Sequence, residues 1–318
     1  MADTYDIVVV GSGPASASFL SRWLEKAPPT AKALWLEKGP HTKHAQRMGE
    51  HEDAMLRRSR RHVNNPVKAS KPWRYGIALG GSSNLWWACT PRFLPADFEM
   101  HTRYGVGRDW PFGYDELEPY YGQAEVLMAV AGDSEDTPFR RSTPYPLPPH
   151  DFTEPEKVLK KAWPQHFFHQ PSARPTKAVG KRPRCCANGV CGRCPVDSKF
   201  TVLNGFKGVF GDRRVTLQTG AAVQSVETEA GLATGVVYRR GGREQRAAAR
   251  LVALGANAMF NAHILLRSSL PQGGVGKRLH EQASVRVFID LDGLDNFQGS
   301  SSITGHGYML YEGEHRRD

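Results

Sequence analysis

The stretch "YDIVVVGSGPASASFLSRWLEKAPPTAKALWLEKG", Tyr5 to Gly39, limits what this chain can fold into more than any other part of it. The apolar run from Asp6 to Val10 reads as a strand buried on both faces, and the glycine turn Gly11-Ser12-Gly13 follows it directly. The spacing predicts a helix over Pro14 to Lys26 and a second strand over Ala33 to Leu36 that ends at Glu37. That order is a dinucleotide-binding βαβ unit, and each position has a physical reason. Gly11 permits the tight turn, Gly13 lets backbone approach a pyrophosphate at the positive end of a helix, and Pro14 suits a first helical position where no amide donor is needed. Glu37 can accept hydrogen bonds from an adenosine ribose and would repel a 2′-phosphate. The third glycine of the pattern is replaced by Ser16, which is small enough for close helix–strand contact. By itself the unit does not separate NAD from FAD.

Composition sets outer limits. A chain of 318 residues with 40% hydrophobic residues suits one large or two ordinary globular domains. No apolar run approaches a membrane span, and Asp3 and Asp6 stand where a secretory signal would be basic. The expected location is the cytoplasm, or the periplasm only by export alongside a partner that carries the signal. Much of the net charge of +10 lies in two basic runs, Arg57 to His62 and Arg174 to Arg184. Neither contains an aromatic residue for base stacking, so both read as solvated faces or docking sites for an acidic partner rather than nucleic-acid sites.

The segment "RYGIALGGSSNLWWACTPRF", Arg74 to Phe93, with "DWPFGYDELEPYYGQAEVLM" after it, resembles the glucose–methanol–choline (GMC) flavoprotein oxidoreductases. The likeness is to the pyranose-oxidase and sugar-dehydrogenase branch. It implies FAD as cofactor, with Arg74 on the pyrophosphate and Gly80, Gly81, Ser82 and Ser83 running beside the flavin. Where that branch carries a histidine joined covalently to the flavin, this chain has Leu85, so the FAD is expected to be non-covalent. Trp86 and Trp87 read equally as core aromatics. The segment Val215 to Tyr238 alternates like a β-hairpin, and it is similar to the family segment whose backbone, near Ala222 and Val223, holds the adenine. Ala249 to Ser269 looks like the strand–turn–helix that returns to the FAD sheet. The cofactor contacts implied are Gly11, Ser12, Gly13, Pro14, Ala15, Glu37, Lys38, Arg74, Gly80 to Trp86, Ala222 and Val223.

Four of the five cysteines, Cys185, Cys186, Cys191 and Cys194, crowd into "CCANGVCGRC", and Cys89 stands apart as an expected core thiol. Thiolates at short spacing suit structural zinc, but adjacent residues such as Cys185 and Cys186 rarely converge on one ion. The sequence Cys191-Gly-Arg-Cys194-Pro195 is similar to ferredoxin-type iron–sulfur runs. Some GMC dehydrogenases that pass electrons to a cytochrome subunit carry such a cluster in this region. The resemblance therefore implies an iron–sulfur cluster, with zinc as its rival.

The fold expected is α/β, a Rossmann-type FAD-binding domain with an incomplete α+β substrate domain. In segments, 1–104 and 184–283 would form the FAD-binding domain, with the cysteines in the second. Residues 105–183 would hold cap elements and a proline-rich connector, and 284–318 would begin the substrate domain. The family's catalytic histidine pair has no match here, and His280, His306 and His315 are not assigned to it. The resemblance thus implies the FAD-binding subunit of a split dehydrogenase that oxidises a sugar, glycoside or related alcohol. A second polypeptide would supply the C-terminal substrate domain and catalytic histidine, and a further subunit would accept electrons. The alternatives are a shortened stand-alone oxidase that uses oxygen and a non-catalytic flavoprotein scaffold. An NAD-dependent dehydrogenase comes last, because the Arg74–Ser83 motif has no role in one.

Overall fold

A strand with no polar side chain can be satisfied only inside a covered sheet, and both such runs near the N-terminus are found there. The computed structural model describes residues 4–49, 75–270, 273–279, 285–294 and 296–308. In chain order the strands are β1 (Thr4–Tyr5), β2 (Ile7–Val10), β3 (Ala33–Glu37), β4 (Phe168–His169), β5 (Val215–Thr219), β6 (Ala222–Glu229), β7 (Leu232–Arg240), β8 (Arg243–Ala249), β9 (Val252–Leu254) and β10 (Gly305–His306). The longer helices are α1 (Pro14–Lys26), α2 (Tyr114–Met128), α3 (Glu154–Ala162) and α4 (Ala258–Leu266).

The chain forms two compact units, 1–85 with 201–287 and 86–200 with 288–318. In the first, a parallel sheet runs β5-β3-β2-β9, with every residue of β2 and β3 buried. A second sheet runs β1-β8-β7-β6, with β1 parallel to β8 and the other pairs antiparallel. Val8, Val10, Leu34 and Leu36 of one sheet share a core with Val226, Val236, Tyr238 and Ala247 of the other, and Ile264 of α4 joins them. The expected hairpin is β6–β7, whereas β5 pairs in parallel with β3. Alternation alone did not separate these two roles.

The second unit carries α2, α3 and the antiparallel pair β4–β10. Threonine starts α3 because its side chain accepts a hydrogen bond from the amide of Glu156, whose carboxylate accepts one from the Thr153 amide in return. Glu156 also accepts hydrogen bonds from the amides of Thr304 and Gly305, at 3.0 and 2.8 Å, and so fixes β10 beside the helix. A buried ionic group centres on Arg92, which is bidentate to Glu125 (2.8 and 2.9 Å) and also meets Glu118 at 2.9 Å.

Two sequence expectations change. The unit boundaries fall after Leu85 and Phe200, so the cysteine segment packs in the second unit and not with the nucleotide-binding part. Backbone hydrogen bonds from Cys185 to Pro175 and from Phe200 to Ala173 hold it there. The basic run Arg174 to Arg184 is not a solvated face throughout, because Arg174 and Arg182 are buried. Arg182 donates to the carbonyls of Ser198, Met128 and Ala173. The other run, Arg57 to His62, lies outside the described residues.

Candidate cofactor site

Within the first unit, the turns that follow β2 and β9 border a cavity of about 580 Å³. Gly11 has a left-handed φ of 83°, and a β-carbon on it would lie 2.6 Å from the carbonyl oxygen of Gly255. Only glycine meets both conditions at once. The helix after it begins at Pro14 with Gly13 as its N-cap and no side-chain cap, so the first-turn amides face outward without a capping oxygen. Gly13, Pro14 and Ala15 all line the cavity. An uncapped helix N-terminus beside glycine backbone is an anion site of the kind a pyrophosphate fills.

Ser16, the departure from the three-glycine pattern, is accommodated by a glycine elsewhere. It is buried on α1 and faces Gly255, where any added β-carbon would overlap its hydroxyl. The missing glycine has in effect moved to the opposing turn.

Glu37 closes β3 and lines the cavity. One oxygen accepts from the amide and hydroxyl of Ser12 (2.9 and 2.5 Å), and the other accepts from the Gly39 amide at 2.6 Å. Burial raises its pKa above the ordinary carboxylate value, an effect these hydrogen bonds partly oppose. Burial also lowers the pKa of Lys38, whose ammonium sits 5.3 Å from the centre of the Phe260 ring.

Gly81, Ser82, Ala222 and Val223 line the cavity too. Gly80, Ser83, Asn84 and Leu85 do not appear in its wall, and Ser83 and Asn84 turn to backbone instead. The Ser83 hydroxyl donates to the Gly80 carbonyl at 2.6 Å and accepts from the Val202 amide at 3.1 Å, while Asn84 donates to the Leu79 carbonyl at 2.9 Å. They shape the turn rather than the cavity. Trp86 belongs to the second unit, where its indole N–H donates to the Phe200 carbonyl at 2.8 Å, and Trp87 is 44% exposed rather than core. Arg74 lies outside the described residues.

The sequence reading missed the far wall, built by Gly255, Ala256, Asn257, Phe260 and His263. Its signal was present in "LGANAMFNAH", a strand followed by glycine, a capping asparagine and a helix, which is the layout of the first turn repeated. Asn257 caps α4 by accepting from the Met259 amide at 3.0 Å.

The cysteines do not assemble a ligand set. Among the described residues no three His, Cys, Asp or Glu side chains converge to hold a metal ion. Cys191 is buried beside Arg174 (3.2 Å) and the Ser302 hydroxyl (3.0 Å), and Cys185 lies 3.5 Å from the Ser301 hydroxyl. Cys194 accepts from the amides of Ser198 and Lys199, and Cys186 points to solvent. The thiols of Cys185, Cys191 and Cys194 are engaged with protein groups, and no zinc or cluster ligand set is formed among the described residues. Cys89 is partly buried, and burial raises its pKa. His306 stacks on Tyr308, with Nδ1 2.7 Å from the Gln170 side-chain oxygen, in the second unit.

An α/β unit with two glycine turns, an uncapped helix and an acidic strand end defines a dinucleotide-binding fold. No profile of a known protein family matches the chain. Individual relatives do. The fructose dehydrogenase large subunit of Gluconobacter japonicus is 29% identical over 74% of this chain and 45% of its own length. The 6'''-hydroxyparomomycin C oxidase of Streptomyces lividus is 27% identical over 87% of this chain and 53% of its own. In structure, formate oxidase from Aspergillus oryzae superposes with a TM-score of 0.54 at 18% identity, covering 85% of this chain and 48% of that one. The chain is similar to the GMC flavoprotein oxidoreductases, and it spans about half the length of the curated relatives it matches. Among the described residues no helix is long and apolar enough to cross a membrane.

Proposed function

We propose that this chain is the FAD-binding part of a GMC-type dehydrogenase that oxidises a CH–OH group of a sugar, glycoside or related alcohol. The observation that carries this reading is the glycine-walled cavity, in which the α1 N-terminus and the Glu37 strand end stand where a pyrophosphate and a ribose would be held. Bound FAD would supply the acceptor for the hydride that leaves the alcohol carbon. The chain's own part is to bind and orient. First-turn amides of α1 receive phosphate, Glu37 receives ribose hydroxyls, and the backbone at Ala222 and Val223 borders the adenine. Leu85, in place of a linking histidine, supports a cofactor that dissociates.

Alcohol oxidation also needs a base for the hydroxyl proton. His306 is not offered for that role, because burial lowers its pKa to about 4 and the ring is stacked on Tyr308 in the second unit. The catalytic histidine and substrate domain are proposed to come from the part of the family fold that this chain does not span, carried by a second polypeptide. The relative named as a large subunit supports a multi-subunit assembly. No electron step is assigned to the cysteines, which form no metal-ligand group among the described residues.

The test is to purify the chain after loading with FAD and precipitate it with acid. Flavin should appear in the supernatant. A colourless preparation that takes up no FAD would defeat the proposal, and colour retained in the pellet would defeat its non-covalent part. Co-expression with the missing half should be required before an added sugar bleaches the flavin.

A further inference from the structure

The two-glycine fingerprint asks nothing of the side chain between its glycines, yet here that side chain joins two turns of the site. Ser12 is 1% exposed, and its hydroxyl donates to Glu37 Oε2 at 2.5 Å. The same hydroxyl accepts from the Gly80 amide at 3.0 Å. A serine hydroxyl has one donor and two acceptor positions, so its only proton goes to the carboxylate and a lone pair goes to the turn. One residue further along, the two turns also meet by contact: a β-carbon on Gly81 would lie 3.0 Å from Gly13 Cα. Gly80 and Gly81 have left-handed φ values of 91° and 55°, which glycine adopts without strain. All of these residues belong to the first unit.

We propose that Ser12 is a positioning residue for the dinucleotide, its hydroxyl tying the Glu37 carboxylate to the Gly80-Gly81 turn so that one group sets both walls of the cavity. This rests on the reading of the cavity as an FAD site. Removing the hydroxyl leaves the carboxylate one of its two Ser12 contacts, the amide at 2.9 Å, but it leaves the buried Gly80 amide without its acceptor. The turn therefore loses more than the carboxylate does. A ligand that needs both walls should suffer more than one that needs only the adenosine side.

The experiment uses the full chain and the variants Ser12→Ala and Ser12→Cys, titrated calorimetrically with FAD and separately with ADP. Ser12→Ala should weaken FAD by about 10–100-fold, the loss expected for a hydrogen bond to a charged group plus an orphaned amide, and should weaken ADP several-fold less. Ser12→Cys, similar in shape but a weaker donor and acceptor, should fall between wild type and alanine. Hydrogen exchange read without ligand should show the Gly80 amide opening at least about tenfold faster in Ser12→Ala. Equal losses for FAD and ADP, or unchanged exchange at Gly80, would overturn the tie. Wild-type chain that binds neither nucleotide would overturn the cavity's reading, and the inference with it; that outcome is distinct from the others because it is seen before any substitution is made.

Discussion

At the scale of single residues, position rather than type decides what a substitution does. Gly11 and Gly220 both have left-handed φ values, 83° and 68°, but a β-carbon on Gly220 would meet nothing within 4 Å. Gly220→Ala should cost about 1–2 kcal/mol, the backbone strain alone. Gly11→Ala adds a collision with the Gly255 carbonyl and should cost about 2–5 kcal/mol. Urea unfolding of both variants checks this, and equal losses would contradict the close approach of the two turns. A buried and a half-buried histidine of the second unit, His150 and His306, make a separate point. His150 lies 2.7 Å from the Arg174 carbonyl, and its pKa is lowered to about 4 by burial, as is that of His306. Unfolded chain takes up these protons near pH 6.5, while the folded unit resists until about pH 4. Between those values the unfolded state binds more protons, so stability should be full above pH 6.5, fall as pH drops, and level off below about 4. Calorimetry across this range should show the second unit's transition moving down. His306→Phe, which keeps an aromatic ring against Tyr308, should flatten part of that slope; an unaltered slope would remove His306 from the account.

At the scale of elements, α1 and the turn after β9 form a matched pair. Ser16 on the helix occupies space that Gly255 leaves open. Gly255→Ala should therefore destabilise the unit by about 1–3 kcal/mol through overpacking. Adding Ser16→Gly should recover much of that loss, because the two changes share one contact and are not additive. A double variant no better than the sum of the singles would show that the collision is with something else, such as the Val10 carbonyl. This pairing also shows what the sequence could disclose. The strand β2, α1 and β3 were legible because their signals are local: an apolar run, a glycine turn, a proline at the helix start and an acidic strand end. The role of Gly255 was not, because a glycine that makes room for a distant serine has no local mark. The cysteines failed for the opposite reason. Their spacing along the chain is suggestive, but whether thiols converge depends on the backbone between them, and here Cys191 is held by Arg174 and Ser302.

At the scale of the whole molecule, the notable exposed side chains lie in residues 285–294 and at Phe297. Val285, Val287, Phe288, Ile289 and Phe297 are between 71% and 90% exposed. The segment reads V-R-V-F-I-D-L-D, with apolar side chains at 285, 287, 289 and 291 and charged ones at 286, 290 and 292. That is the pattern of a strand with one covered face, yet these residues join no strand among those described. Apolar surface of this extent marks a binding face, and the chain spans only about half the length of its relatives. On the function proposed above, its occupant would be the substrate domain, through an interface that buries more than ~2,000 Å² in the manner of an obligate assembly. The 318-residue chain alone should thus bind a hydrophobic dye and self-associate. Replacing Val287 and Ile289 together with lysine should reduce both, without weakening FAD, since neither residue lines the cavity. Co-expression with the other half should reduce dye binding in the wild type and should fail to do so in the double variant, where two charges would have to be buried. Dye uptake and oligomeric state that are indifferent to the two lysines would mean that this segment is not the face the second half covers.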